Sequence, residues 1–282
     1  MVRWLDEIDL DPSDPPVRMG VRTLGDQSWL LQDDEEESQL ALKAKLTKDE
    51  SSEVFLALPE SEAAGLEVCS LITGTGRQLI PDSKDLHPLK RAGLSVQEDL
   101  CLMRRDEGCW VLAAASLCFP SRWRLSEKIG REISDVHGPV TGYPEFLRKK
   151  VNSLMDRLST TPVWRRNWFI HPDPSLYQPE RPENGDPIIE AVHVHDELFL
   201  RSERQTLRSL DTAGWILFTI KIQQASLGEL DYARKNDFVE WLMNVSPEGA
   251  SHKGIQPKQR VQILRSLGLS LPNPAFGHGF DQ

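Results

Sequence analysis

Hydrophobic residues recur along this chain with two periods, and the switches between them mark its elements. From Gly214 to Ile222 the run GWILFTIKI places Ile216, Phe218, Ile220 and Ile222 on alternate positions, one apolar face of a strand. Leu198 to Leu210 alternates too, with Phe199, Arg201, Glu203, Gln205 and Leu207 on one face and Ser202, Arg204, Thr206 and Arg208 on the other. Val163 to Ile170, VWRRNWFI, is a third strand, rich in aromatic and β-branched residues. Asp99 to Phe119 reads as a hairpin whose apolar arms flank Asp106-Glu107-Gly108, with Gly108 supplying the turn angle.

The helical period appears elsewhere. Leu125, Ile129 and Ile133 recur every four residues, and His137 takes the next place in that row. This spacing predicts one amphipathic helix from Ser121 that stops at Gly138-Pro139, with the His137 imidazole at the end of its apolar stripe. A helix from Pro144 carries Val151, Leu154, Met155 and Leu158, so two helices bracket His137. Asp34 to Lys48, Pro59 to Ile72, Leu227 to Val245 and Pro257 to Leu267 also read as helices. His171 to Glu197, broken by Pro172, Pro174, Pro179, Pro182 and Pro187, must be a long surface excursion. The pattern predicts an α+β chain: an N-terminal arm and helices over 1–98, a sheet-bearing core over 99–225 and a helical extension over 226–282, packed as one unit.

Composition narrows the partners. With 282 residues, 39% of them hydrophobic, the chain is long enough for a buried pocket. A formal charge of −10 and no basic run longer than Arg148-Lys149-Lys150 argue against nucleic acid and against an anionic membrane surface. No apolar stretch reaches the roughly 20 residues a membrane helix needs, and the acidic N-terminus is unlike a signal peptide, so a cytoplasmic location is expected. Cys69, Cys101, Cys109 and Cys118 stand 32, 8 and 9 positions apart, a spacing with no C-x-x-C pair for zinc, an iron–sulfur cluster or a redox disulfide.

Other chemistry is thinly marked. Gly74-Thr75-Gly76 lacks the third glycine and the preceding strand of a dinucleotide site, and no G-x-S-x-G, P-loop or H-E-x-x-H occurs. His193 and His195 stand two apart; on a strand they would share a face and, with Asp196 or Glu197, could chelate a non-heme metal, although a solvated loop accounts for them as well. Arg201 and Glu203 are charges set between Phe199 and Leu207. They are read either as a structural ion pair or as a polarised site.

The order of hairpin, helices and three strands, with FPSRWRLSEKIG, VHGPV, RRNW, RSERQTLRSL and HKG, resembles the alpha-subunit-like family of heme-dependent oxidative N-demethylases from about Met19 to Gly254. The chain departs from that family's pattern at Thr141 and Asp211, where prolines are expected. The resemblance implies a PAS-like domain in which a five-stranded antiparallel sheet covers a heme b held by helices. It also implies oxidative N-demethylation of a small amine with O2, and a partner reductase bearing flavin and an iron–sulfur centre. Within that reading His137 is the expected proximal iron ligand, being the histidine on an apolar helix face. Arg201, Glu203 and Gln205, with Arg165 and Asn167 on the neighbouring strand, form the oxygen-facing side, and Tyr143 is a further candidate. A heme-based gas or ligand sensor is the alternative of a different class, and a peroxide-driven heme would need no reductase.

Overall fold

A computed structural model describes residues 3–12, 20–81, 86–133 and 145–269. His137 and Tyr143 lie outside the described residues. Five long strands carry the fold: β3 (Asp99–Asp106), β4 (Cys109–Ser116), β5 (Val163–His171), β6 (Phe199–Ser209) and β7 (Trp215–Ser226). Two short strands, β1 (Arg22–Thr23) and β2 (Phe55–Ala57), extend the edges, giving an antiparallel sheet in the order β1-β5-β6-β7-β3-β4-β2. The sheet therefore has seven strands where five were expected. Two or three residues cannot display an alternation, so the edge strands left no periodic signal.

The expected hairpin forms, and its turn is tighter than the composition implied. Glu107 and Gly108 both take positive φ, 44° and 93°, the left-handed pair that matches strand twist in a two-residue turn. β7 runs back beside β3, pairing Leu100 with Thr219 and Met103 with Ile216, and so joins hairpin to meander. The long connection from β4 to β5 must then reach the opposite side of the sheet. Where β5 runs past β1, Lys253 and Gly254 cover its edge: Ile170 N–H donates to the Lys253 carbonyl at 2.8 Å. Gly254 sits at φ +81°, and a Cβ there would lie 2.5 Å from the Ile170 oxygen, so this closure requires glycine.

Ser121 to Ile133 does not form the expected helix. Lys128 and Ile129 N–H groups both point at the Leu125 carbonyl, and Gly130 at φ +74° then reverses the chain. Leu112 in β4 lies beyond the reach of β2, so its backbone groups need other partners. It donates to the Arg131 carbonyl at 3.1 Å and accepts from Gly130 at 2.8 Å. The row of apolar side chains still faces inward, with Leu125 and Ile133 buried and Ile129 packed at their margin.

Alternation divides β5, β6 and β7 into two faces. The back face carries Trp168, Ile170 and Leu200 against the helices Tyr232–Asn244 and Pro257–Ser266, and Leu100 and Leu102 against the helices Glu62–Gly74 and Pro88–Gly93. The front face carries Leu207, Ile216, Ile220 and Ile222, which pack with Phe119, Leu125, Ile133 and Met155 from the β4–β5 connection. Met155 ends the helix Glu145–Met155, close to the helix expected from Pro144. No helix among the described residues is long and apolar enough to cross a membrane.

Candidate functional site

Strand pairing assembles the predicted polar group on the front face. Arg165 stands opposite Gln205, Asn167 opposite Glu203, Phe169 opposite Arg201 and His171 opposite Phe199. Each pair shares a face because antiparallel neighbours in register point the same way.

Arg201 is fully buried, yet it does not pair with Glu203. Its Nε donates to Ser121 Oγ at 3.1 Å, Nη1 to the Ser175 carbonyl at 3.1 Å and to Gln224 Oε1 at 3.4 Å. Nη2 donates to the carbonyls of Phe119, Pro120 and Leu176 at 3.0, 3.3 and 3.0 Å. Of the two sequence readings of this pair, the ion pair is thus not formed. Burial brings the guanidinium pKa down to about 10, with Glu203 and Asp99 resisting that fall, so it stays charged at neutral pH. One cation thereby ties the Pro-rich excursion and the start of the β4–β5 connection to the sheet.

Glu203 is 8% exposed, and its Oε2 accepts from Gln205 Nε2 at 2.8 Å. Asn167 Oδ1 accepts from Lys253 Nζ at 3.1 Å. Arg165, Lys253 and Arg181 all act on His252, whose pKa falls first through burial and then through these cations. The β5 edge of this face is therefore electropositive.

His171 went unnoticed in the sequence because it begins the proline-rich excursion. Its signal was there: Val163, Arg165, Asn167, Phe169 and His171 continue one alternation by a single residue. Its Nδ1 lies 3.0 Å from Gln178 Oε1. Gln178 Nε2 donates to the carbonyls of Asp173 and Ser175 at 2.9 and 2.7 Å. The amide oxygen must therefore face the ring, and Nδ1 carries the proton. Burial, then Arg122 and Arg201, push the His171 pKa down to about 4. Arg122 itself holds φ 66° and grips Asp186 with both terminal nitrogens.

Two other arrangements do not assemble. His193 precedes and His195 falls within the short helix Val194–Glu197, where residues two apart point to different sides, and His193 instead faces Glu197 at 3.4 Å. No group of three metal-ligating side chains occurs among the described residues, this pair included. Ser61 Oγ lies 3.2 Å from His87 Nε2, but His87 Nδ1 accepts from Leu89 N–H at 3.1 Å. The ring proton then sits on Nε2, the wrong tautomer for deprotonating serine. None of the four cysteines forms a disulfide, and burial pushes the Cys118 thiol up to about 12, so it is an inert filler.

Comparison with known proteins bears on the same region. No curated protein matches the chain. The profile of the family described as "Haem-dependent oxidative N-demethylase, alpha subunit-like" matches residues 70–262, more than half of the chain and all five long strands. The chain belongs to the heme-dependent oxidative N-demethylase alpha-subunit-like family.

Proposed function

We propose that the chain is an oxygen-using heme oxidoreductase that removes an N-methyl group from a small amine, its heme b lying on the front face of a PAS-like sheet. The observation that carries this reading is the unequal covering of the two faces. Val163, Phe169, Phe199 and Phe218 on the front remain half-buried, while Trp164, Trp168, Leu200 and Leu217 on the back are closed over. Half-covered aromatic and aliphatic side chains around a few convergent polar groups are what a flat apolar ligand needs. The residues fit a heme in two further respects: the front face holds a neutral imidazole, and its electropositive edge of Arg165, Arg181 and Lys253 suits the two carboxylates of the porphyrin.

His137 is proposed as the proximal iron ligand, within the connection whose Ile133 and Met155 pack on this face. Bound heme would supply oxygen activation. The chain's own residues bind and orient. Glu203 accepts the N–H of a cationic amine, Gln205 and Asn167 fix its direction, and Arg165 sets the charge at the rim. Arg201 positions the segments that exclude water from one end of the site, and Tyr143 is a further candidate. Electrons come from a separate reductase with flavin and an iron–sulfur centre, because the cysteine spacing offers no cluster of its own.

The test is turnover with a surrogate reductase, followed as formaldehyde release, alongside the absorption spectrum of the purified protein. Formaldehyde release that needs NAD(P)H, the reductase and an amine supports the reading. A protein that binds heme but releases none would be a sensor, and rapid turnover with peroxide alone would replace the reductase.

A further inference from the structure

Three polar groups on the front face are held in fixed orientations and left open. An ammonium only donates, so the 3.1 Å bond from Lys253 turns the Asn167 amide oxygen toward Lys253 and the Asn167 amide nitrogen away. The Glu203 carboxylate accepts from Gln205 Nε2 at 2.8 Å, which turns the Gln205 carbonyl away from it. Glu203 Oε1, Gln205 Oε1 and Asn167 Nδ2 then have no hydrogen-bond partner among the described residues, and none of the three is sealed from solvent. Asn167 stands directly opposite Glu203, with Gln205 one step along the same face, so their Cβ atoms lie within about 5–8 Å of one another. Polar groups this close ordinarily engage each other. Here two acceptors, one of them charged, stay open beside an open donor.

We propose that the amine taken by this site is an N-methyl α-amino acid with a secondary nitrogen, N-methylglycine being the smallest. The inference rests on the demethylase reading above and names its substrate class. A secondary ammonium carries two N–H groups, one for Glu203 Oε1 and one for Gln205 Oε1. The adjoining carboxylate accepts from Asn167 Nδ2, and the Lys253 ammonium on the amide oxygen polarises that donor. Charge favours the same ligand. Arg165, Arg181 and Lys253 are balanced by Glu203 and the two carboxylates of the porphyrin, so a neutral zwitterion fits where a bare cation leaves a charge over. The whole reaction takes N-methylglycine, O2, two protons and two electrons from the reductase to glycine, formaldehyde and water.

Calorimetric titration of the hemin-loaded full chain with N-methylglycine, N,N-dimethylglycine and dimethylamine tests the ranking without turnover. N-methylglycine should bind about tenfold more tightly than dimethylamine, which lacks the carboxylate, and more tightly than N,N-dimethylglycine, whose ammonium keeps a single N–H. Equal or tighter binding of either rival would overturn the inference. Asn167→Asp replaces the donors with a negative charge and should cancel or invert the preference over dimethylamine. A tenfold preference that persists in the folded variant would overturn the inference too, and should the variant misfold, the ranking by the unaltered chain decides alone. Formaldehyde released from dimethylamine but not from N-methylglycine, with reductase and NAD(P)H present, would sink the substrate class and leave the demethylase reading standing. Release from none of the three amines would sink both.

Discussion

The two faces of the sheet draw on the same residue types for opposite ends. On the back, Lys221 meets Asp33 at 3.1 Å, and at the start of β3 Lys43 meets Asp99 at 3.2 Å with both side chains fully buried. Gln97 bonds Asp33 and Gln39, Arg204 donates to the Ser28 and Trp29 carbonyls, and Thr206 meets Thr219 at 2.7 Å. These groups close on one another and bolt the N-terminal arm to the sheet. On the front, Arg201 is spent on backbone carbonyls, whereas Gln205, Arg165 and Asn167 stay half-exposed around Glu203. Arg201 and Arg204 lie three residues apart in β6, so strand position sets their roles where chemistry does not. Burial without partners is costly, and a face that leaves polar groups half-open must expect something to cover them.

The largest effect is expected at the buried Lys43–Asp99 pair at the start of β3. Asp99→Ala leaves the Lys43 ammonium buried without its carboxylate and also orphans the Cys118 and Phe119 N–H groups, which Asp99 accepts at 2.9 and 2.7 Å. The expected loss is about 3–5 kcal/mol in urea unfolding. A loss under about 1 kcal/mol would mean that this buried pair is no lock. On the front, Arg201→Met strands several carbonyls and should cost about 3 kcal/mol, with earlier proteolysis in 173–187 as the second readout.

Acid reaches the front face through His171. Its folded pKa of about 4 lies below the ordinary histidine value of 6.5, so the unfolded chain binds the extra proton between those values. Stability is complete above pH 6.5 and drains away as pH falls toward 4, by about 3 kcal/mol in all if each pKa unit is worth about 1.4 kcal/mol. Burial is the main cause of this shift, Arg122 and Arg201 deepen it, and Gln178 and Asp186 oppose it. His171→Gln should flatten the slope, and an unchanged acid limb would remove His171 as its cause.

The back face should respond to pH in the other direction. Glu98 is buried with Oε1 on the Leu31 N–H at 2.7 Å and Oε2 without a partner, and burial raises its pKa. A raised folded pKa means stability that is complete at acid pH and lost as pH rises. Glu98→Gln should therefore gain roughly 1 kcal/mol at neutral and alkaline pH and little below the ordinary glutamate value of 4.5. The smallest effect on stability belongs to Glu203→Gln, within about 0.5 kcal/mol, yet turnover should fall far more than heme content. Equal loss of stability, heme and turnover would make Glu203 another bolt.

Much of this architecture was legible in residue order. Alternation alone separated Arg201, Glu203 and Gln205 from Ser202, Arg204 and Thr206, and the paired strands keep that division. It also buried Leu125 and Ile133 correctly while the backbone around them was misread. A four-residue repeat reports which side chains face inward, and a turn braced on Leu112 can satisfy it as well as a helix. Strand period, turn residues and helix-end charges are local properties, set by covalent geometry within a few positions, so the chain determines them by itself. Partners are a different matter. Arg201 draws its acceptors from Phe119, Pro120, Ser175 and Leu176, and His171 takes its tautomer from Gln178 within a segment that Arg122 and Arg201 hold. Whether a buried charge is a bolt or a reagent depends on which distant carbonyls converge on it. Only the folded sheet brings those carbonyls together, because a hydrogen bond needs groups within about 3 Å, whatever their separation along the chain.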